Sequence, residues 1–289
     1  MTHLPIWYLT LLIYFVGSTT NSLLQRRLAV TSKLPLRLVT ALLYLCFISP
    51  IGIIIALIKG NIWIHWQPLT FALLFIEALG IAGFFAFAFQ LNKRVDATQY
   101  VIISNMYTII TVLLGIFIIH EAFSGQQFLG MLLLIAGGIL VAVKGLRRKT
   151  FQFDQATLLL ALTSVGLGIG LAAERGCLNH MSYSAYLIVG WGLQTVFLCL
   201  FAYKDWHVLP RISKSQWAGI TKVGVARGMQ NTGFFLSVAL SRNVSLIASV
   251  SSFRVPLVFI ASFIFLSERE HIVRRFVGVS VATVGLLLL

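Results

Sequence analysis

Ten unbroken apolar runs leave this chain very little choice of fold. They lie at about residues 4–24, 36–58, 69–91, 97–119, 125–146, 156–178, 183–203, 216–240, 244–266 and 271–289. Each is close to the roughly 20 residues that a helix needs to cross about 30 Å of hydrocarbon. Strands of a membrane barrel would instead appear as short segments of alternating polarity. Nearly the whole chain is taken up by these runs, and no connector is long enough to form a soluble domain. The sequence is 58% hydrophobic and only 10% charged, against about 25% charged in soluble proteins. The expected fold is therefore all-α and integral to a membrane, with ten transmembrane helices.

The opening MTHLPIW carries no Lys or Arg, and no small-residue cleavage pattern precedes Gln25. The first run is thus expected to be a mature helix and not a secretory signal. Cys46, Cys177 and Cys199 fall in three different runs with no paired spacing, which predicts neither a disulfide framework nor a metal site. No cofactor is implied, since phosphate-loop and dinucleotide fingerprints are absent.

A net charge of +14 invites a nucleic-acid partner, but the distribution of the charges argues against one. Seventeen of the 22 Lys and Arg residues lie on connectors that follow odd-numbered spans, while the even connectors hold only Lys59, Arg175 and Arg242. This bias orients membrane proteins with their basic loops in the cytoplasm. It predicts non-cytoplasmic termini and gives the basic residues the lipid bilayer as partner.

A module also occurs twice. Glu121 is followed by Gly130 and Gly137, and Glu268 is followed by Gly278 and Gly285, with a one-residue difference in the connecting loop. Self-similarity at half the chain length divides the protein into residues 1–149 and 150–289. Each half has five spans, so the second must enter the membrane upside down relative to the first. Such inverted repeats commonly enclose a binding site near mid-membrane.

Polar groups inside the spans mark the candidate site. Span 1 carries Tyr14, Gly17, Ser18, Thr19, Thr20 and Asn21, read either as interhelical hydrogen bonding or as cavity lining. Pro50 should bend span 2. Span 3 holds Glu77, either a functional carboxyl or half of a structural ion pair. Span 4 gathers Tyr100, Ser104, Tyr107 and Thr108 on one face, with Asn105 beside them. Span 5 reads as packing support through Gly130, Gly137 and Gly138. In span 6, Gly166 and Gly170 predict a close helix contact, and Glu174 with Arg175 reads as a mutually screened pair. Span 7 offers Trp191 and Gln194. Span 8 is the richest, with Arg227, Gln230 and Asn231 near its middle, and span 9 places Arg254 just before Pro256. Arginine at mid-depth is rare and faces protein or water. One carboxylate against two guanidinium groups leaves a positive charge that an anionic ligand would complement.

Glu121 with GMLLLIAGGILV (130–141), Glu268 with GVSVATVGLLLL (278–289), and the run FFAFAFQLNKRVDATQY closing span 3 together resemble the drug/metabolite transporter superfamily, in particular its ten-helix group of two EamA-type halves. The resemblance implies a basket of helices in which spans 1, 3, 4, 6, 8 and 9 line a central cavity and spans 5 and 10 are peripheral. It implies transport of a metabolite by exchange or proton coupling, and residence in a bacterial cytoplasmic membrane. Many bacterial members carry their basic residues on the even connectors with the termini inside, the reverse of the orientation that the charges predict here.

The expected function is secondary transport of a small anionic or zwitterionic metabolite, such as an amino acid, by alternating access. Arg254 and Arg227 would contact an anion or carboxylate, and Glu77 would serve as an ion-pair partner or proton carrier. Asn105, Tyr107, Gln230 and Asn231 would supply neutral hydrogen bonds, with Tyr100 and Tyr14 in the same lining. A coupling proton or counter-substrate is the further partner. The alternatives are a channel or lipid-handling protein. An enzyme is disfavoured, because no His/Asp cluster or base-activated nucleophile occurs at mid-depth.

Overall fold

A computed structural model describes residues 7–119, 124–142, 155–241, 251, 253–266 and 272–288. Among them the regular structure is helical, apart from one isolated antiparallel bridge between Ile64 and Met181. The helices are α1 (Trp7–Thr31), α2 (Leu36–Leu43), α3 (Ser49–Lys59), α4 (Pro68–Asn92), α5 (Ala97–Ser104), α6 (Tyr107–Ile119), α7 (Gly125–Ala142), α8 (Gln155–Cys177), α9 (Tyr183–Phe201), α10 (Lys214–Ser241), α11 (Arg254–Phe265) and α12 (Ile272–Leu288). Four stretches are long and apolar enough to cross a bilayer: Leu36–Lys59, Pro68–Asn92, Gln155–Cys177 and Tyr183–Phe201. The apolar helices Gly125–Val141 and Arg254–Phe265 are shorter. Glu121, Glu268 and the stretch TFQFD lie outside the described residues.

The surface shows what surrounds it. On α1, Leu9, Leu12 and Val16 are exposed, while Leu11, Tyr14, Ser18, Asn21 and Gln25 are buried. On α4, Phe71 and Phe75 are exposed while Glu77 and Thr70 have no accessible surface. Apolar side chains outside and polar ones inside match hydrocarbon as solvent, in which polar groups must find partners within the protein.

Span 2 is distorted as Pro50 predicts. The π-helical turn Tyr44–Ile48 joins α2 to α3 immediately before Ser49 and Pro50. Proline has no N–H to return to the preceding turn, and the chain accommodates this by widening it. Span 4 is interrupted as well. α5 ends at Ser104, and α6 restarts at Tyr107 through a tightened turn in which Met106 N–H bonds to Ile103 O (3.0 Å) and Thr108 N–H to Asn105 O (3.0 Å).

The helices pair across the chain: α1 with α10, α4 with α8, α3 with α9, α5 with α11 and α7 with α12. Glycines set three of these crossings. A Cβ on Gly17 would lie 2.5 Å from Gln230 N, one on Gly80 would lie 2.5 Å from Gly166 O, and one on Gly137 would lie 2.6 Å from Ala282 N and from Gly278 O. A Cβ on Gly285 would in turn lie 2.7 Å from Gly130 O. Such close backbones gain dispersion contacts that lipid tails would not provide. The doubled module is thus self-complementary, since the first glycine of each copy packs against the second glycine of the other with the helices antiparallel. The close contact expected of Gly166 and Gly170 is made with α4.

Candidate functional site

Three interrupted or distorted segments deliver the inner polar groups. Arg254 is the first residue of α11, which starts after a turn at Phe253. Because Pro256 falls within the first turn of α11, its missing N–H is one that a helix start leaves unpaired in any case. The Arg254 guanidinium reaches the break in span 4, where its Nη2 donates to Asn105 Oδ1. The Tyr14 hydroxyl is within hydrogen-bonding reach of the same guanidinium, with Tyr107 and Tyr100 beside it.

Arg227 sits at the middle of α10 and is buried. Its guanidinium carbon lies 4.1 Å from the centroid of the Phe85 ring and 5.4 Å from that of Tyr44, and its Nη2 donates to the Tyr44 hydroxyl at 3.5 Å. Stacking on aromatic faces contributes roughly 2 kcal/mol or more where water is excluded. Tyr100 lies close to both guanidinium groups and to Gln25 of α1. Gln230 is held by α1 as well, since Asn21 Nδ2 donates to Gln230 Oε1 at 2.9 Å. Asn231 is half-buried on the same helix.

Glu77 belongs to a separate cluster. Its Oε1 accepts from the Tyr186 hydroxyl (2.6 Å) and from Gln194 Nε2 (2.5 Å). The described ion pairs both involve Asp96, with Arg26 and Arg275. Glu77 therefore has two neutral donors where an arginine partner was one expectation, and neither inner guanidinium is balanced by a carboxylate among the described residues. Glu174 of α8 lies near Tyr186 of α9. Trp191 packs over Gly52 in the contact between α3 and α9.

Some buried polar atoms of α1 and of the break in span 4 have unmet hydrogen-bonding capacity. Asn105 Nδ2, Gln25 Nε2, Asn21 Oδ1 and Thr19 Oγ1 are buried without partners. An orphan of this kind costs about 1–3 kcal/mol, which a ligand supplying the matching atom would recover. Two of the four atoms are N–H donors, as are all the guanidinium nitrogens, so the set favours a ligand rich in acceptors. Arg227 is buried and Arg254 half-buried. A surface cleft of about 320 Å³ lies between the connector after α3 and the one before α9, and an apolar cleft of about 380 Å³ lies between α11 and α12; neither contains Arg227 or Arg254. No group of His, Cys, Asp and Glu among the described residues could hold a metal.

Tyr44, Phe85 and Tyr186 are the site residues that sequence reasoning did not reach. Pro50 carried the signal for Tyr44, because a widened turn next to a proline redirects the side chains just before it. For Phe85 and Tyr186, aromatics among other apolar residues of a span give no signal of their own.

The helical fold, its lipid-facing surface and its polar interior define a multi-pass membrane protein. Residues 5–143 match the EamA-like transporter family, which lies within the drug/metabolite transporter superfamily. That family is one of membrane transporters. A chain of known crystal structure, 19% identical, has the same fold, with a TM-score of 0.66 over 97% of this chain and 96% of its own. No curated protein matches the sequence.

Proposed function

We propose that the protein is a secondary transporter of a small anionic or zwitterionic metabolite, and that Arg254 and Arg227 bind the anionic group. The observation that carries this reading is the pair of inner guanidinium groups that have no carboxylate partner among the described residues, ringed by Tyr14, Tyr44, Tyr100, Tyr107 and Asn105. A cation held away from water needs compensation, and a ligand carboxylate or phosphate supplies it. Gln230 and Asn231 would adjust toward the ligand from α10.

The mechanism proposed is alternating access by two inverted five-helix halves. When span n is matched with span n+5, the set of observed pairings maps onto itself: 1 with 8 exchanges with 6 with 3, while 2 with 7, 4 with 9 and 5 with 10 each return to themselves. The family match over residues 5–143 spans about one such half. Asn105 and Arg254 then come from symmetry-related spans, both irregular where they meet, which is how transporters of this architecture form midplane sites.

The test is flux in proteoliposomes loaded with candidate amino acids, carboxylates and sugar phosphates. A carrier gives saturable uptake that is stimulated by internal counter-substrate, and Arg254→Ala abolishes it at unchanged protein content. Flux that is linear in concentration favours a channel, and unchanged flux in the variant removes Arg254 from the site.

A further inference from the structure

The even-numbered connectors hold few cations, and one of them is built into a cleft. Lys59 ends α3, and its ammonium lies 5.5 Å from the centroid of the Tyr183 ring. Gly60 and Asn61 follow with positive φ (64° and 54°), which turns the chain off the helix axis. The connector then joins the one before α9 through the Ile64–Met181 bridge and the backbone bonds of His65 and Trp63 to His180 and Ser182. Between the two lies the cleft of about 320 Å³, lined by Lys59, Asn61, Trp63, Ser182, Tyr183 and Ser184 among others. None of the described residues lining it is acidic.

Its polar groups converge as donors. Ser182 is only 7% exposed, and its Oγ already accepts from Trp63 N–H (3.2 Å) and Ala185 N–H (3.1 Å). With both lone pairs taken, that hydroxyl has only its hydrogen left to give. Ser182 is also the N-cap of α9, and Tyr183 and Ser184 are the first two residues of that helix. The cleft therefore lies at a helix start, which presents backbone N–H groups and the positive end of the helix dipole. An ammonium, a buried hydroxyl hydrogen and a helix start together suit a phosphate, whose several oxygens can accept from all three.

Exposed apolar side chains lead to the cleft from the bilayer: Ile54, Leu57 and Ile58 precede Lys59 on α3, and Trp66 and Leu69 flank the start of α4. Trp63 and Trp66 have the amphipathic rings that settle at headgroup level. A donor-lined cleft at the end of an apolar track matches an amphiphile better than a soluble anion.

We propose that this cleft binds the phosphate of an anionic phospholipid from the leaflet on that face. The phosphate sits between Lys59 and the start of α9 and receives the Ser182 hydroxyl, while an acyl chain runs along Ile54, Leu57 and Ile58. The headgroup touches both connectors, so occupancy favours the state in which they are joined. The site is separate from Arg227 and Arg254 and does not depend on their binding an anion.

Native mass spectrometry of the purified, delipidated full-length protein tests this, with phosphatidylglycerol as probe. The expected result is one adduct that survives collisional activation after other lipids have left, is lost in Lys59→Glu and persists in Arg254→Gln. Lys59 is exposed at a helix end, so its reversal leaves the fold in place. Lys93→Glu makes the same charge change at an exposed position on the basic side and should keep the adduct. An equally stable adduct in Lys59→Glu, or its loss in Lys93→Glu as well, overturns the proposal. So does equal retention of dioleoylglycerol, which has no phosphate, or of glycerol 3-phosphate, which has no acyl chains and would make a soluble ester the occupant.

Discussion

At the residue scale, chemistry distinguishes the two arginines. Arg227 is stacked on Phe85 and Tyr44, and its planar delocalised charge suits that position. A lysine ammonium there would be a compact, strongly hydrated charge facing two rings. Arg227→Lys is expected to weaken ligand binding roughly tenfold or more, the equivalent of about 1.4 kcal/mol, while leaving the protein folded. Binding measured on the purified variant checks this, and wild-type affinity would mean that the stacking does not matter. Much of this level was legible in advance, because an arginine, a glutamate or an asparagine within an apolar run stands out against its neighbours. Their partners were not legible. Glu77 faces Tyr186 and Gln194 because α9 packs on α4, and no spacing within span 3 encodes that.

At the element scale, the helices follow the apolar runs, while their irregularities follow particular residues. Pro50 announced the distortion in span 2, but the break at Asn105–Met106 has no proline or glycine to announce it. That break lies where Arg254, distant in sequence, donates to Asn105. The glycine crossings were easier to anticipate, since Gly166 with Gly170 and the paired glycines of the repeat present small faces at helical spacing. Gly80→Val is expected to place methyl groups against the Gly166 carbonyl, where even a Cβ comes to 2.5 Å. Overpacking of this kind costs about 1–3 kcal/mol. A drop in thermal midpoint in detergent checks it, and an unchanged midpoint would show that α4 and α8 are less close than described.

At the scale of the molecule, links between the two halves occur at both ends. On one side the connector after α3 meets the one before α9, with His65 N–H on His180 O (2.8 Å) and Ser182 N–H on Trp63 O (3.0 Å). On the basic side Asp96 receives Arg275 from the second half and Arg26 from the first. Alternating access would require these two ends to release in turn. Asp96→Asn is expected to loosen the basic side and increase labelling there of a cysteine introduced at Ser104, in a background lacking Cys46, Cys177 and Cys199. Equal labelling with and without the substitution would mean that Asp96 does not close that side.

The central claim is that the inner arginines hold an anionic ligand, and ligand-induced thermal stabilisation tests it most directly. Because a ligand bound only by the native state raises its stability, wild-type protein should be stabilised by at least one amino acid, carboxylate or sugar phosphate. Arg254→Gln should lose that shift while keeping its helical content. A shift of equal size in Arg254→Gln, or stabilisation of the wild type by amines and not by anions, would contradict the account.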